Sequence, residues 1–287
     1  MIRSMLYVPA SSQRFIAKAH ERGADAIILD LEDSVAPSEK EKARAGLGEA
    51  VPAVSRNGAK VLVRINSSED MMLADAEAAC RAGAFGLFVS KASHPNILES
   101  LDKHLQEIEN ALPQRQKTVL VPMIEDPGAV LNARAIASAT SRVFGLITGS
   151  EDLATAMGAE PTSEVLRVPK ILVHLAAKAT GVLSFGFVFS QTHFRDLAGV
   201  ASAAREARSF GFDGATCVHP SAIPILNETF SPSSDEIDRA TRMLAAYDQS
   251  LAAGKGACVF EGKMIDAPMV TRARALLTKQ VGPRRSS

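Results

Sequence analysis

The feature that most limits the fold of this 287-residue chain is a regular alternation of short apolar runs with longer segments of helical period. The runs lie at residues 4–8, 26–31, 60–65, 86–90, 118–124, 143–148, 183–189 and 215–218. Runs of this length without polar alternation read as strands buried on both faces, as in a parallel sheet. Between them, residues 12–22, 37–54, 69–81, 96–112, 127–139, 163–179 and 197–209 carry helix signals. Ser12 suits an N-cap, Pro127 a first turn and Gly83 a stop, while Ile97, Leu98, Leu101, Leu105 and Ile108 recur at helical spacing. Eight β-α repeats in roughly 220 residues predict a (β/α)8 TIM barrel. An open doubly wound sheet is the alternative; no GxGxxG follows the first strand, so a dinucleotide site lacks support.

The barrel is assigned to residues 1–230. Residues 231–287 form a C-terminal helical extension, with helices at 231–252 and 268–278 around a ribbon or loop at 254–262. An extension of roughly 55 residues has too little core to fold alone. It is expected to pack over the barrel mouth or on a neighbouring subunit. Lys plus Arg and Asp plus Glu both number 32 and Trp is absent, which argues against nucleic-acid and anionic-membrane partners. No apolar run approaches the ~20 residues of a membrane span. Cys80, Cys217 and Cys258 are too scattered for a disulfide framework or a CxxC metal site, so a reduced, cytoplasmic protein is expected.

In parallel barrels ligands bind at the C-terminal ends of the strands. The two central strands end in Glu125-Asp126 and Glu151-Asp152. Hard oxygen ligands on adjacent strand ends suit Mg2+; the competing reading is that these acids cap helices. Other strand ends carry Asp30, Glu32 and Asp33, then Arg64 and Asn66, Lys91, and His219. Charges buried at so many ends are costly unless paired or used. Arg64 either forms a structural ion pair with those acids or turns its rigid fork on the carboxylate of a small acid. Lys91 reads as a structural or electrostatic lysine rather than a Schiff-base one, because nothing in its polar ASHP loop desolvates it. His219, directly before Pro220, reads as a hydrogen-bonded structural histidine. Together the ends suggest a divalent-metal site for a small oxo- or hydroxy-acid, where a chelated metal stabilises the enolate of a C–C bond reaction.

The segments SMLYVPA, DAIILDLEDSVAPSEKEKAR, VLVRIN, VPMIEDPGAVLNARAIA, GLITGSEDLATAMG, GFDGATCVHPSAI and FEGKMIDAPMVTRAR resemble the citrate lyase beta-subunit-like group of the HpcH/HpaI aldolase superfamily, in order and over nearly the whole chain. The resemblance implies a Mg2+-dependent lyase that cleaves or forms a C–C bond in a 3-hydroxy-acid thioester of the citramalyl-, malyl- or citryl-CoA type. It implies Glu125 and Asp152 as metal ligands, Glu125 also touching substrate, and Arg64 as the substrate-binding arginine. Glu32 and Asp33 match acids near the metal's waters. Asp266 matches an acid that enters a neighbouring subunit's site as general acid/base, which implies a homo-oligomer, a trimer or a multiple of one. The acyl group would travel on coenzyme A or on an acyl carrier protein. Thioester hydrolysis, a free-acid aldol reaction on the same metal, or a non-catalytic subunit are the alternatives. Two stretches depart from the family pattern: Ala10-Ser11 replace its PGD, and Ser184–Gly186 stand where an acid is usual, with His193 and Arg195 unexpected nearby.

Overall fold

The computed structural model describes residues 1–112, 117–188 and 195–280. His193 lies outside the described residues. The chain divides into two compact units, essentially residues 2–228 and 229–287. Among the described residues no helix is long and apolar enough to cross a membrane.

The first unit contains eight strands: β1 (Ser4–Pro9), β2 (Ala26–Asp30), β3 (Lys60–Ile65), β4 (Gly86–Val89), β5 (Val119–Ile124), β6 (Gly145–Thr148), β7 (Leu183–Phe185) and β8 (Ala215–Cys217). All pair in parallel, in sequence order, and β1 returns to β8. A bridge between Phe185 and Gly214 links the two remaining edges. The result is the expected (β/α)8 barrel. Gly214 is required at that seam, since a Cβ there would sit 2.9 Å from the Arg3 carbonyl oxygen.

Alternation along each strand sorts side chains into two layers. Ile27, Leu29, Val61, Val63, Leu120 and Ile124 face the helices in a large outer core. Ala26, Ile28, Leu62, Val121, Met123 and Ile147 fill the barrel interior. Continuing the inward parity upward places Asp30, Arg64, Glu125 and Gly149 on the interior side of one rim. That rim is where loops, not helices, surround a ligand.

Three helical segments differ from expectation. The 127–139 stretch is two short helices, Pro127–Leu131 and Ala133–Ala137, which meet at Asn132. The 37–54 stretch is a 3-10 turn (Pro37–Glu39) followed by Lys40–Ala45 and Leu47–Val54. An unforeseen helix, Ser150–Ala156, follows β6 directly. The seventh strand is shorter than the expected 183–189.

The second unit has a helix, Ser234–Ala252, opened by a reciprocal capping box between Ser233 and Glu236. A hairpin follows, Cys258–Phe260 paired antiparallel with Lys263–Ile265. Its two-residue turn puts Glu261 and Gly262 at φ 48° and 75°, the left-handed pair that matches strand twist. The helix Ala267–Gln280 then packs on Ser234–Ala252 around Ala240, Met243, Tyr247, Ile265 and Val270.

Candidate active site

Register decides which rim residues meet. Asp30 and Arg64 are direct partners across β2 and β3. Arg64 Nε donates to Asp30 Oδ1 and Nη2 to Oδ2, both at 2.6 Å. Its Nη1 reaches Glu32 at 2.8 Å and Asp33 at 3.1 Å. Three of its five N–H groups donate to Asp30 and Asp33, Glu32 is held as an ion pair, and one Nη2 N–H is left over by Asp30. Tyr7 lies under the guanidinium, 5.3 Å from ring centre to Cζ. The structural ion pair considered for Arg64 is therefore formed, and with three acids. Burial pushes the Asp30 carboxyl up, but Arg64 and the Ser34 and Glu32 amides outweigh it and hold Asp30 below the usual carboxylate range. Burial also raises Glu32; there the neighbouring Asp33 adds to the shift and Arg64 only partly opposes it.

The four central acids do two different jobs. Asp126 is a helix cap, its Oδ1 accepting from the Ala129 amide at 2.8 Å. Glu151 and Asp152 sit in the first turn of Ser150–Ala156, where the helix dipole favours negative charge. Glu125 caps nothing. It is 5% exposed and accepts from the Lys91 backbone N–H at 2.6 Å. Lys91 presents that N–H from a left-handed conformation, φ 52°, which costs a non-glycine residue energy and recurs at functional sites. Burial, with the charges of Asp152 and Glu32 adding, pushes the Glu125 carboxyl up to about 7.

Gly149 makes the space. Met123 and Ile124 pair with Ile147 and Thr148, so the next residues, Glu125 and Gly149, stand side by side. A Cβ on Gly149 would come within 2.6 Å of Glu125 Cγ and 2.8 Å of Cδ. Gly149→Ala is therefore expected to displace the Glu125 carboxylate and weaken Mg2+ binding by about 10- to 100-fold, the usual cost of disturbing a ligand's support. Titration calorimetry with Mg2+ checks this; unchanged affinity would dismiss the cradle.

Lys91 is a bridge between acids, its Nζ 3.8 Å from Glu32 and 4.0 Å from Asp152. Its side chain is half exposed, so the desolvation a Schiff-base lysine needs is missing, as the sequence suggested. His219 is exposed and hydrogen-bonds Ser221 in the turn after β8, in keeping with its structural reading. Ser184, standing where the family pattern has an acid, is buried against His174 Nδ1 at 3.0 Å. Asp266 belongs to the 229–287 unit, where its Oδ1 and carbonyl oxygen accept from the Met269 amide at the start of the last helix.

A cavity of about 710 Å3 opens at the rim, lined by Arg64, Asp30, Glu125, Asp152 and the aromatic rings of Phe185 and Phe212. It also contains Lys170, a residue that inspection of strand ends passes over because it lies in the helix Ser163–Thr180. Its one sequence signal is a lysine beside Pro169 in an otherwise apolar stretch. Among the described residues no group of three or more His, Cys, Asp or Glu side chains forms a protein cage for a metal. Two carboxylates with room for substrate and water are what Mg2+, rather than Zn2+, accepts.

The model of the HpcH/HpaI aldolase/citrate lyase family matches residues 3–220. The chain is 34% identical to the (3S)-malyl-CoA thioesterase of Cereibacter sphaeroides over 280 residues, covering 96% of this chain and 94% of that protein. It is 30% identical to citrate lyase subunit beta of Escherichia coli over 281 residues, covering 96% and 92%. The crystal structure of the protein CitE from Mycobacterium tuberculosis, in complex with magnesium, acetoacetate and coenzyme A, matches with a TM-score of 0.77 at 29% identity, over 96% of this chain and 97% of that one. Because the matched stretch takes in every strand of the barrel and the 34% relative spans the tail as well, this chain belongs to the HpcH/HpaI aldolase/citrate lyase family.

Proposed function

We propose that the protein is a Mg2+-dependent enzyme acting on the coenzyme A thioester of a small 3-hydroxy acid, cleaving it into an oxoacid and an acyl thioester. The observation that carries this reading is the crowded, cradled Glu125 beside Asp152 at the mouth of a cavity large enough for the acyl end of such a substrate. Glu125 and Asp152 would hold the metal, which supplies Lewis-acid polarisation of the bound acid's oxygens. Asp30 fixes Arg64, and Arg64 in turn holds Glu32 and Asp33 beside the metal position. The remaining Nη2 N–H of Arg64 is offered to the substrate carboxylate. Proton removal from the 3-hydroxyl lets the C–C bond break, with its electron pair passing to the acyl thioester. Asp266 of a neighbouring copy would return a proton to that carbon; the 229–287 unit then serves a homo-oligomer, and a trimer or a multiple of one is the arrangement proposed. Magnesium and coenzyme A in the Mycobacterium relative support metal and carrier.

Thioester hydrolysis is the second reading, favoured by the name of the Cereibacter relative. It uses the same metal position with water attacking the thioester carbonyl. Purified protein with and without Mg2+ should be given malyl-, citramalyl- and citryl-CoA, following oxoacid and free coenzyme A separately. Metal-dependent oxoacid release is the expected result. Free coenzyme A with the acid skeleton intact would replace the lyase by the hydrolase, and no metal-dependent turnover of any thioester would overturn the reading.

A further inference from the structure

The cations around the cavity are unequally engaged. Arg64 is held by Asp30, Glu32 and Asp33, and Lys91 lies between Glu32 and Asp152. Lys170 is different. It lines the cavity, is 5% exposed, and among the described residues forms no hydrogen bond and no ion pair. Burial dominates and lowers the ammonium to about 8, and the charge of Glu151 only partly opposes it. The same cavity is also lined by Phe185, Phe187 and Phe212. Packing alone does not explain such a residue, since Met or Leu would fill the volume without desolvating a charge.

We propose that Lys170 is a catalytic residue whose ammonium meets the negative charge that develops on the substrate's thioester oxygen. This deepens the thioester reading and rests on it. In C–C cleavage the pair of the breaking bond delocalises onto that oxygen as an enolate, which is then protonated on carbon. In hydrolysis the carbonyl π pair moves to the same oxygen as water's oxygen adds; the tetrahedral species collapses, the C–S bond breaks, and the thiolate takes up a proton. Both routes charge one oxygen, transiently, inside the cavity that Lys170 lines. A preorganised donor without a partner in the free protein is strongest there, because no bond must be given up to make the new one. The charges of Arg64 and Lys91 are already offset in part by the acids beside them.

The test is Lys170→Met in the full chain, with unfolding midpoint, Mg2+ affinity, kcat and KM measured. The expected result is kcat lower by about 100-fold, KM within about threefold, Mg2+ affinity unchanged and an unfolding midpoint equal to or above that of the unsubstituted protein. A purely structural lysine would instead lower the midpoint. Unchanged kcat, or a loss confined to KM, overturns the assignment while leaving the thioester reading intact. So does borohydride trapping of an oxoacid on Lys170, detected by peptide mass, which would make it an imine-forming lysine. Failure of the unsubstituted protein to turn over any thioester overturns the reading and this inference together.

Discussion

Glu125→Gln is expected to remove Mg2+-dependent turnover, lowering kcat/KM by on the order of 1,000-fold, since Lewis-acid stabilisation is worth several kcal/mol. Asp152→Asn should do the same. The amide keeps the shape that Gly149 accommodates and can still accept from Lys91, so folding is not at issue. The charge bookkeeping points the same way. Burial, Asp152 and Glu32 raise Glu125 to about 7 in the metal-free protein, well above its ordinary 4.5. The folded state therefore binds more protons than the unfolded chain between about 4.5 and 7, and stability from this group is lost as pH rises through 7. Gln carries no such loss, so the metal-free variant should unfold at or above the original temperature at pH 8. Metal and proton also compete for one carboxylate, and Mg2+ affinity of the unsubstituted protein should rise between pH 6 and 8. Calorimetry and steady-state kinetics check each point. Full activity in both variants would refute the metal assignment.

Arg142→Met should have the largest effect on stability. Arg142 lies just before β6, at the opposite end of the barrel from the cavity, with its side chain 1% exposed. Its Nη1 and Nη2 grip Glu109 of the helix Pro95–Ala111 at 2.9 Å each. Nε meets Asp102 at 2.5 Å, and Nη1 also reaches the Thr118 carbonyl at 3.1 Å. One guanidinium thus ties a helix to the starts of β5 and β6. Removing it leaves Glu109 buried without its counter-charge, which costs about 3–5 kcal/mol. Urea unfolding of Arg142→Met measures this, and Arg142→Met with Glu109→Leu should recover part of the loss. Burial raises Glu109 and Asp102, but Arg142 and their other hydrogen bonds outweigh it and both lie below the usual range. These depressed carboxyls contribute stability at neutral pH that fades as pH falls through their folded values. Acid lability should therefore be smaller in Arg142→Met. A loss under 1 kcal/mol would show that water already screens the pair.

The two charged ends of this barrel differ in what they satisfy. At the Arg142 end, Arg142, Glu109 and Asp102 are paired with one another. At the cavity end Glu125 is crowded by acids, and among the described residues Lys170 forms no ion pair. Incomplete electrostatics at the strand C-termini are the physical mark of a site that something else must complete.

The sequence by itself determined the barrel. Eight apolar runs of strand length, each followed by a helical period, leave few other ways to bury both faces of every strand. It also determined that Asp30, Arg64 and Glu125 stand on the inside of one rim, because strand parity is a local property that repeats every two residues. Tertiary structure decided what those residues do to one another. Asp30 faces Arg64 only because β2 and β3 pair in that register, which makes Arg64 the hub of three acids, a pairing that the sequence left open beside a substrate role. Gly149 matters only because it falls beside Glu125 across β5 and β6. Lys170 and Arg142 carried no periodic signal at all; one reaches the cavity from a helix, and the other joins elements that chain order keeps apart. Such pairings depend on contacts between residues tens of positions distant, and no local period in the sequence encodes them.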